Sequence, residues 1–175
     1  DGGLSEGIRR RRKGAVPLVW GHVIRPFLAV EPASRSSKPG EGRITFVSTA
    51  RQTQPETKPS IVLQRTNSGD QNRRIRAGFV DSNWLKKYGG FYGENHVVVI
   101  SPDATKQQRC SLYTLLRIIS TRSVDRRLRP LLSSNSINVT ALRELQLPKL
   151  SEHKFNLIEE CSDKELESIV EKAYG

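Results

Sequence analysis

The residues of this chain best suited to chemistry stand in GGFYGENHVVVIS, where Glu94, Asn95 and His96 lead directly into the aliphatic run from Val97 to Ile100. A histidine beside a carboxylate can move protons near neutral pH, and an asparagine offers both donor and acceptor. The other histidines are His22, in VPLVWGHVIRPF, and His153, at the head of an acidic tail. Wider signatures of catalysis do not accompany them, since the chain has no Walker phosphate loop and no H-E-x-x-H helix. Gly40-Glu41-Gly42 lacks the further glycine, helix and acidic residue of a dinucleotide site and reads as a turn. Acids in the basic body are scattered, whereas nuclease chemistry wants them clustered around magnesium. Cys110 and Cys161 have no partner at metal-ligand spacing, so neither zinc nor a disulfide framework is indicated. His96 therefore reads as a hydrogen-bonded structural residue, and no catalytic or metal-binding residue is assigned.

Binding is better supported than catalysis. The chain carries 29 Lys and Arg against 18 Asp and Glu, a net charge of +11. Residues 151–175 hold seven acids and three lysines, a balance of −4, so residues 1–150 carry +15. Such a body favours a polyanionic partner, nucleic acid first among them. Its basic residues are interleaved with amides and aromatics: Gln64 and Arg65, then Arg73, Arg74 and Arg76, then Lys86 and Lys87 between Trp84 and Tyr88. Arginine reads a guanine edge with two hydrogen bonds, Gln or Asn does the same for adenine, and lysine mostly holds phosphate. Candidate DNA-binding residues are accordingly Arg65, Arg73, Arg74, Arg76, Lys86, Lys87 and Asn95.

The elements that must position these residues fall into two groups. Strands are expected at RITFV (43–47), SIVLQR (60–65) and NHVVVIS, with extended segments at VPLVWGHVIRPF and after NSGDQN. Alternation along the last strand sends His96, Val98 and Ile100 one way and Asn95, Val97 and Val99 the other, both faces being buried. Beyond Pro102, Leu112, Leu115, Leu116 and Ile119 predict a helix over roughly 105–120. A shorter helix over 122–129 carries Arg122, Arg126 and Arg129 as a basic stripe. Ser162 and Glu165 form an S-x-x-E capping box for the last helix, whose acids read as solvated. The expected class is α+β, with a strand-rich N-terminal two-thirds built on a mixed twisted sheet and helices mostly in the C-terminal third. Residues 1–15 form a basic tail, 16–150 the recognition body and 151–175 an acidic helical extension packed on it.

Taken in order, PLVWGHVIRPF, IVLQRTNSGDQNRRIRAGFV, FYGENHVVVIS, LYTLLRIISTRSVDRRLR and SINVTALRELQLP resemble the target-recognition domain of adenine-specific DNA methyltransferases of bacterial restriction-modification systems. The ending is also similar to the target-recognition domains of type I restriction specificity subunits. The resemblance covers roughly residues 16–148. It implies a module that reads duplex DNA for an N-terminal catalytic domain of the same parent chain, which binds S-adenosylmethionine and methylates N6 of a flipped adenine. No Pro-Pro pair occurs, so the family's catalytic Asn/Asp-Pro-Pro-aromatic motif is missing, as is its cofactor glycine motif. The chain, which opens on Asp1 and holds no methionine, reads as a non-catalytic piece of a larger protein needing no cofactor of its own. Part of an endonuclease-methyltransferase fusion and an RNA-binding module are the alternatives. A cytoplasmic setting is expected, with no membrane partner.

Overall fold

A computed structural model describes residues 14–24, 46–48, 54–66, 72–132 and 134–175. The basic N-terminal run through Lys13, the Gly40–Gly42 turn and the first residues of the RITFV strand lie outside the described residues.

The architecture is α+β. Strand β1 (Ala15–Val19) pairs antiparallel with β2 (Phe46–Ser48) and, beyond Pro17, parallel with the two-residue β5 (Tyr92–Gly93). Strand β3 (Ser60–Gln64) is the centre of a second sheet, antiparallel to both β4 (Ala77–Val80) and β6 (Val97–Ile100). In place of one mixed sheet there are thus two three-stranded sheets among the described residues, one mixed and one antiparallel. The division has a local cause. The Glu94 amide bonds the Val19 carbonyl at 2.9 Å, the Val97 amide bonds the Glu94 carbonyl at 2.9 Å, and the chain turns from one sheet into the other between them.

Strands β3 and β4 of the antiparallel sheet are largely buried on both faces, whereas β6, expected to be buried on both, lies at the edge and is half-buried along its length. Ile61, Leu63, Ala77, Val98 and Ile100 face a cluster shared with the C-terminal helices, while Val62, Val80, Val97 and Val99 face a second cluster with Val19, Ile24 and Phe91. The alternation expected for β6 is therefore present. Each fully buried aliphatic or Phe side chain contributes roughly 1.5–3 kcal/mol, so the five that Ile61, Val62, Leu63, Phe91 and Leu116 supply form a substantial share of the stability.

Helix α1 (Ser82–Tyr88) was not expected from the sequence. The Asp81 carboxylate caps it by accepting from the Trp84 amide at 2.7 Å, and Gly89, at φ 77°, ends it in the left-handed region that glycine enters without strain. Trp84 and Tyr88, one turn apart, pack at 4.6 Å between ring centres, and Phe91 meets Trp84 edge-on at 5.8 Å.

Helix α2 (Leu112–Ile119) starts later than its periodicity suggests, because Ser111 caps the Thr114 amide at 3.0 Å. Thr121 caps α3 (Arg122–Leu128), and Asn138 caps α4 (Val139–Glu144), accepting from Ala141 at 2.7 Å. Helices α5 (Glu152–Glu160) and α6 (Asp163–Lys172) complete the body, and the Ser162–Glu165 capping box is formed as expected. Ile158, Leu166 and Val170 are buried in the helix-side cluster and Ile169 packs beside it, whereas Leu157 is exposed.

The acids of this C-terminal pair are mostly exposed, as expected of a solvated face, yet Glu159, Glu167 and Glu171 are also hydrogen-bonded to the neighbouring helices. Both Glu167 oxygens bind the start of α3, accepting from the Arg122 and Ser123 amides at 2.8 Å, and Glu171 binds Ser123 Oγ and, at 2.7 Å, Arg126. Glu159 accepts from Ser111 Oγ and Thr114 Oγ1, both at 2.6 Å, at the start of α2. Negative charge there opposes the positive end of each helix dipole. The expected basic stripe on α3 is divided by the same contacts: Arg126 pairs with Glu171, and Arg129 bonds the buried Asp125 at 2.8 Å.

Candidate functional site

Three chain segments converge at one end of the two sheets. Trp20, Gly21 and His22 follow β1, Gln64 and Thr66 close β3, and Glu94 and His96 form the turn between β5 and β6. Together they line an open cavity of about 270 Å³. Gly21 is required by the close approach, since a Cβ there would lie 2.8 Å from the His96 carbonyl oxygen.

Hydrogen bonds hold the walls. The Glu94 carboxylate accepts from the His96 amide at 3.0 Å, and its other oxygen lies 3.9 Å from His96 Nε2. His96 Nδ1 is 3.2 Å from Thr66 Oγ1, and Gln64 Nε2 donates to the Thr66 carbonyl at 2.9 Å. His96 thus acts as the hydrogen-bonded anchor expected of it, with its ring largely exposed. Gln64 lines the cavity, and its Oε1 is buried with no hydrogen-bond partner among the described residues. Trp20 and His22 supply rings whose centres lie 6.2 Å apart with planes tilted by 43°.

A polar ribbon borders this cavity. The Arg65 amide donates to the His96 carbonyl at 2.7 Å and its carbonyl accepts from the Ile137 amide at 2.7 Å, so its backbone is fixed on both sides. Its exposed guanidinium reaches Ser136 Oγ at 3.3 Å and the Asn95 carbonyl at 3.5 Å, both at the long end for a hydrogen bond. Arg74 Nη2 donates to Asn135 Oδ1 at 3.1 Å, next in sequence to Ser136. Asn95, Arg65, Ser136, Asn135 and Arg74 therefore form one band along the sheet end.

Other residues named from the sequence sit differently. Arg73 donates to the Ser120 carbonyl at 3.0 Å and is half-buried. Arg76 is half-buried, its carbonyl bonded to the Gln64 amide at 2.9 Å beside the cavity. Lys86 and Lys87 are exposed on α1, and Lys87 Nζ lies 5.1 Å from the Tyr88 ring centre, apart from the Arg65 band. The sequence had marked His22 and His96 singly, and Trp20, Gln64, Thr66 and Ser136 carried no signal of a shared site. Their meeting depends on strand pairings made across long stretches of chain.

Among the described residues, no group of three or more His, Cys, Asp or Glu side chains is placed to hold a metal ion, and no helix is long and apolar enough to cross a membrane. In comparisons with known proteins, the chain matches no family model, no curated protein and no solved structure.

Proposed function

We propose that this chain is the sequence-recognition domain of a site-specific adenine-N6 DNA methyltransferase of bacterial restriction-modification type. It holds duplex DNA in the cytoplasm for a separate S-adenosylmethionine-dependent catalytic domain of the parent protein. The ordered motifs between residues 16 and 148 support the family assignment, and the +15 charge of residues 1–150 supports a polyanionic partner.

The observation that carries the reading is the band of Asn95, Arg65, Ser136, Asn135 and Arg74. Arginine and asparagine side chains are the ones that read base edges in pairs of hydrogen bonds. Arg65 and Asn95 come from segments 30 residues apart, are both exposed, and touch at 3.5 Å. Arg74, Arg76, Lys86 and Lys87 supply positive charge to phosphates around them, and Arg73 supports the segment before β4 through Ser120.

The test is a titration of the chain with duplex DNA over a range of salt. Affinity falls linearly in log K against log salt, with a slope of about −0.9 for each phosphate contacted. Binding that ignores salt, or a clear preference for structured RNA over duplex DNA, overturns the proposal.

A further inference from the structure

We propose that His96 is a proton-dependent phosphate contact: uncharged in weakly alkaline solution, it becomes below neutrality a cation that holds the DNA backbone. This rests on the DNA-binding reading above and gives a second, binding role to a residue that also anchors the turn.

Position comes first. The Arg65 amide donates to the His96 carbonyl at 2.7 Å where β3 and β6 end. The Arg65 guanidinium lies 3.5 Å from the Asn95 carbonyl, which belongs to the same peptide unit as the His96 amide. The His96 side chain is 63% exposed and that of Glu94 only 16%. Of the two titratable groups on this turn, it is the imidazole that meets solvent, and with it a polyanion laid along the Arg65 band.

The hydrogen bonds of the ring leave it able to take up a proton in place. His96 Nδ1 lies 3.2 Å from Thr66 Oγ1. A hydroxyl both donates and accepts, so it serves the neutral ring in either tautomer and the imidazolium alike. Thr66 therefore holds the ring in both states, and protonation changes charge without costing this bond. Nε2 lies 3.9 Å from Glu94 Oε1, beyond hydrogen-bond reach and within that of an ion pair once the ring is charged. Nε2–H is thus a donor for an incoming oxygen anion.

The charged and titratable groups around His96 among the described residues are Glu94 on its own turn, Arg65 at the end of β3, and the exposed His22 after β1, which lines the same cavity. With His96 neutral, the charges of Glu94 and Arg65 oppose each other at the strand end. With it protonated, a positive charge remains for phosphate. Histidine is the side chain whose ordinary titration falls between pH 5 and 8. A phosphate beside the ring stabilises the charged form alone, so DNA binding and proton uptake strengthen each other. The complex then holds more protons than the free chain, and affinity rises as pH falls.

The experiment measures the affinity of the full chain for a labelled duplex, by fluorescence anisotropy, from pH 8 to pH 5.5 at several salt concentrations. Affinity is expected to rise about fivefold or more over that range. The slope of log K against log salt is expected to steepen by about 0.9, the mark of one further phosphate contact. His96→Gln, which keeps a hydrogen-bonding side chain and takes up no proton, is expected to abolish both changes, and both are expected to persist in His22→Gln. Duplex binding that is indifferent to pH overturns the contact and leaves the DNA reading standing. The same pH dependence in His96→Gln also overturns it, as does a pH effect with no steepening of the salt slope, which reports a change of shape instead of a new phosphate contact. Failure to bind duplex at low salt at any pH overturns the DNA reading and the contact together. Where His96→Gln fails to fold, NMR titration of the unaltered chain decides. The His96 ring signal, identified by its proximity to Thr66, should titrate at higher pH in the complex than in the free chain, and an unchanged titration overturns the proposal.

Discussion

Arg65 and His96 are joined through their backbones, the Arg65 amide donating to the His96 carbonyl at 2.7 Å, while their side chains stay exposed at the surface. The ladder of β3 and β6 is thereby extended past the last regular strand residue, and a guanidinium is held at a fixed place with little of its side chain committed to the fold. A substitution there tests function with small risk to stability.

Arg65→Ala is expected to weaken duplex binding by about 1–3 kcal/mol and to lower the salt slope by about 1, as for a residue that meets both a base and a phosphate. Asn95→Ala is expected to reduce discrimination between DNA sequences with little change in salt slope, since it removes no charge. Electrophoretic or anisotropy titrations at several salt concentrations measure both.

Gly21→Ala is expected to destabilise the fold by about 1–3 kcal/mol, because the added methyl meets the His96 carbonyl, a backbone atom that can move only with β6. A lower urea midpoint at unchanged m-value reports it. Gly93→Ala, whose methyl would meet Val99 and Val97 side chains at 3.3–3.4 Å, is expected to cost less.

Arg117→Met is expected to cost about 2–4 kcal/mol. The side chain is 9% exposed and donates to the Glu159 carbonyl at 3.1 Å and the Cys161 carbonyl at 2.6 Å, where α5 ends. Methionine fills similar volume and leaves both carbonyls unpaired. Faster amide exchange in α5 and α6 than in the sheet is the accompanying signature.

Acid is expected to loosen the same helices. Burial works against ionisation of Glu167, yet the Ser123 hydroxyl and the Arg122 and Ser123 amides outweigh it and hold its carboxyl below the ordinary value of 4.5. Bonds from Ser111 and Thr114 lower Glu159, and the Ser123 bond lowers Glu171. Because the folded pKa values are depressed, this stabilisation is complete above about pH 5 and is lost as pH falls through the folded values. Melting temperatures followed from neutral pH to about pH 3 should drop, and Glu167→Gln should flatten the dependence.

Much of the fold was legible in local pattern. The faces of β6, the leucine stripe of α2 and the Ser162–Glu165 box are set by neighbours within a few residues, and all three stand as the sequence suggests. Helix α1 was missed because its apolar pair, Trp84 and Tyr88, spans a single turn, although Asp81 and Gly89 mark both ends. The split into two sheets was hidden in a two-residue strand too short to show periodicity. The hydrogen bonds of Glu159 and Glu167 were hidden because their partners, Ser111 and Ser123, lie more than 40 residues away. The DNA-binding candidates were chosen by type, and of them Arg65, Asn95 and Arg74 join one band. Nothing in a one-dimensional reading separates them from Lys86 and Lys87.

The carboxylates by which α5 and α6 grip α2 and α3 also bear on how the molecule would respond to being cut. A version ending at Leu150 would strip the first turns of α2 and α3 of their anionic covers and open the hydrophobic side of the sheet to water. The acidic extension read from the sequence as packed on the body thus closes the helix side of the core, and its removal is expected to be felt there.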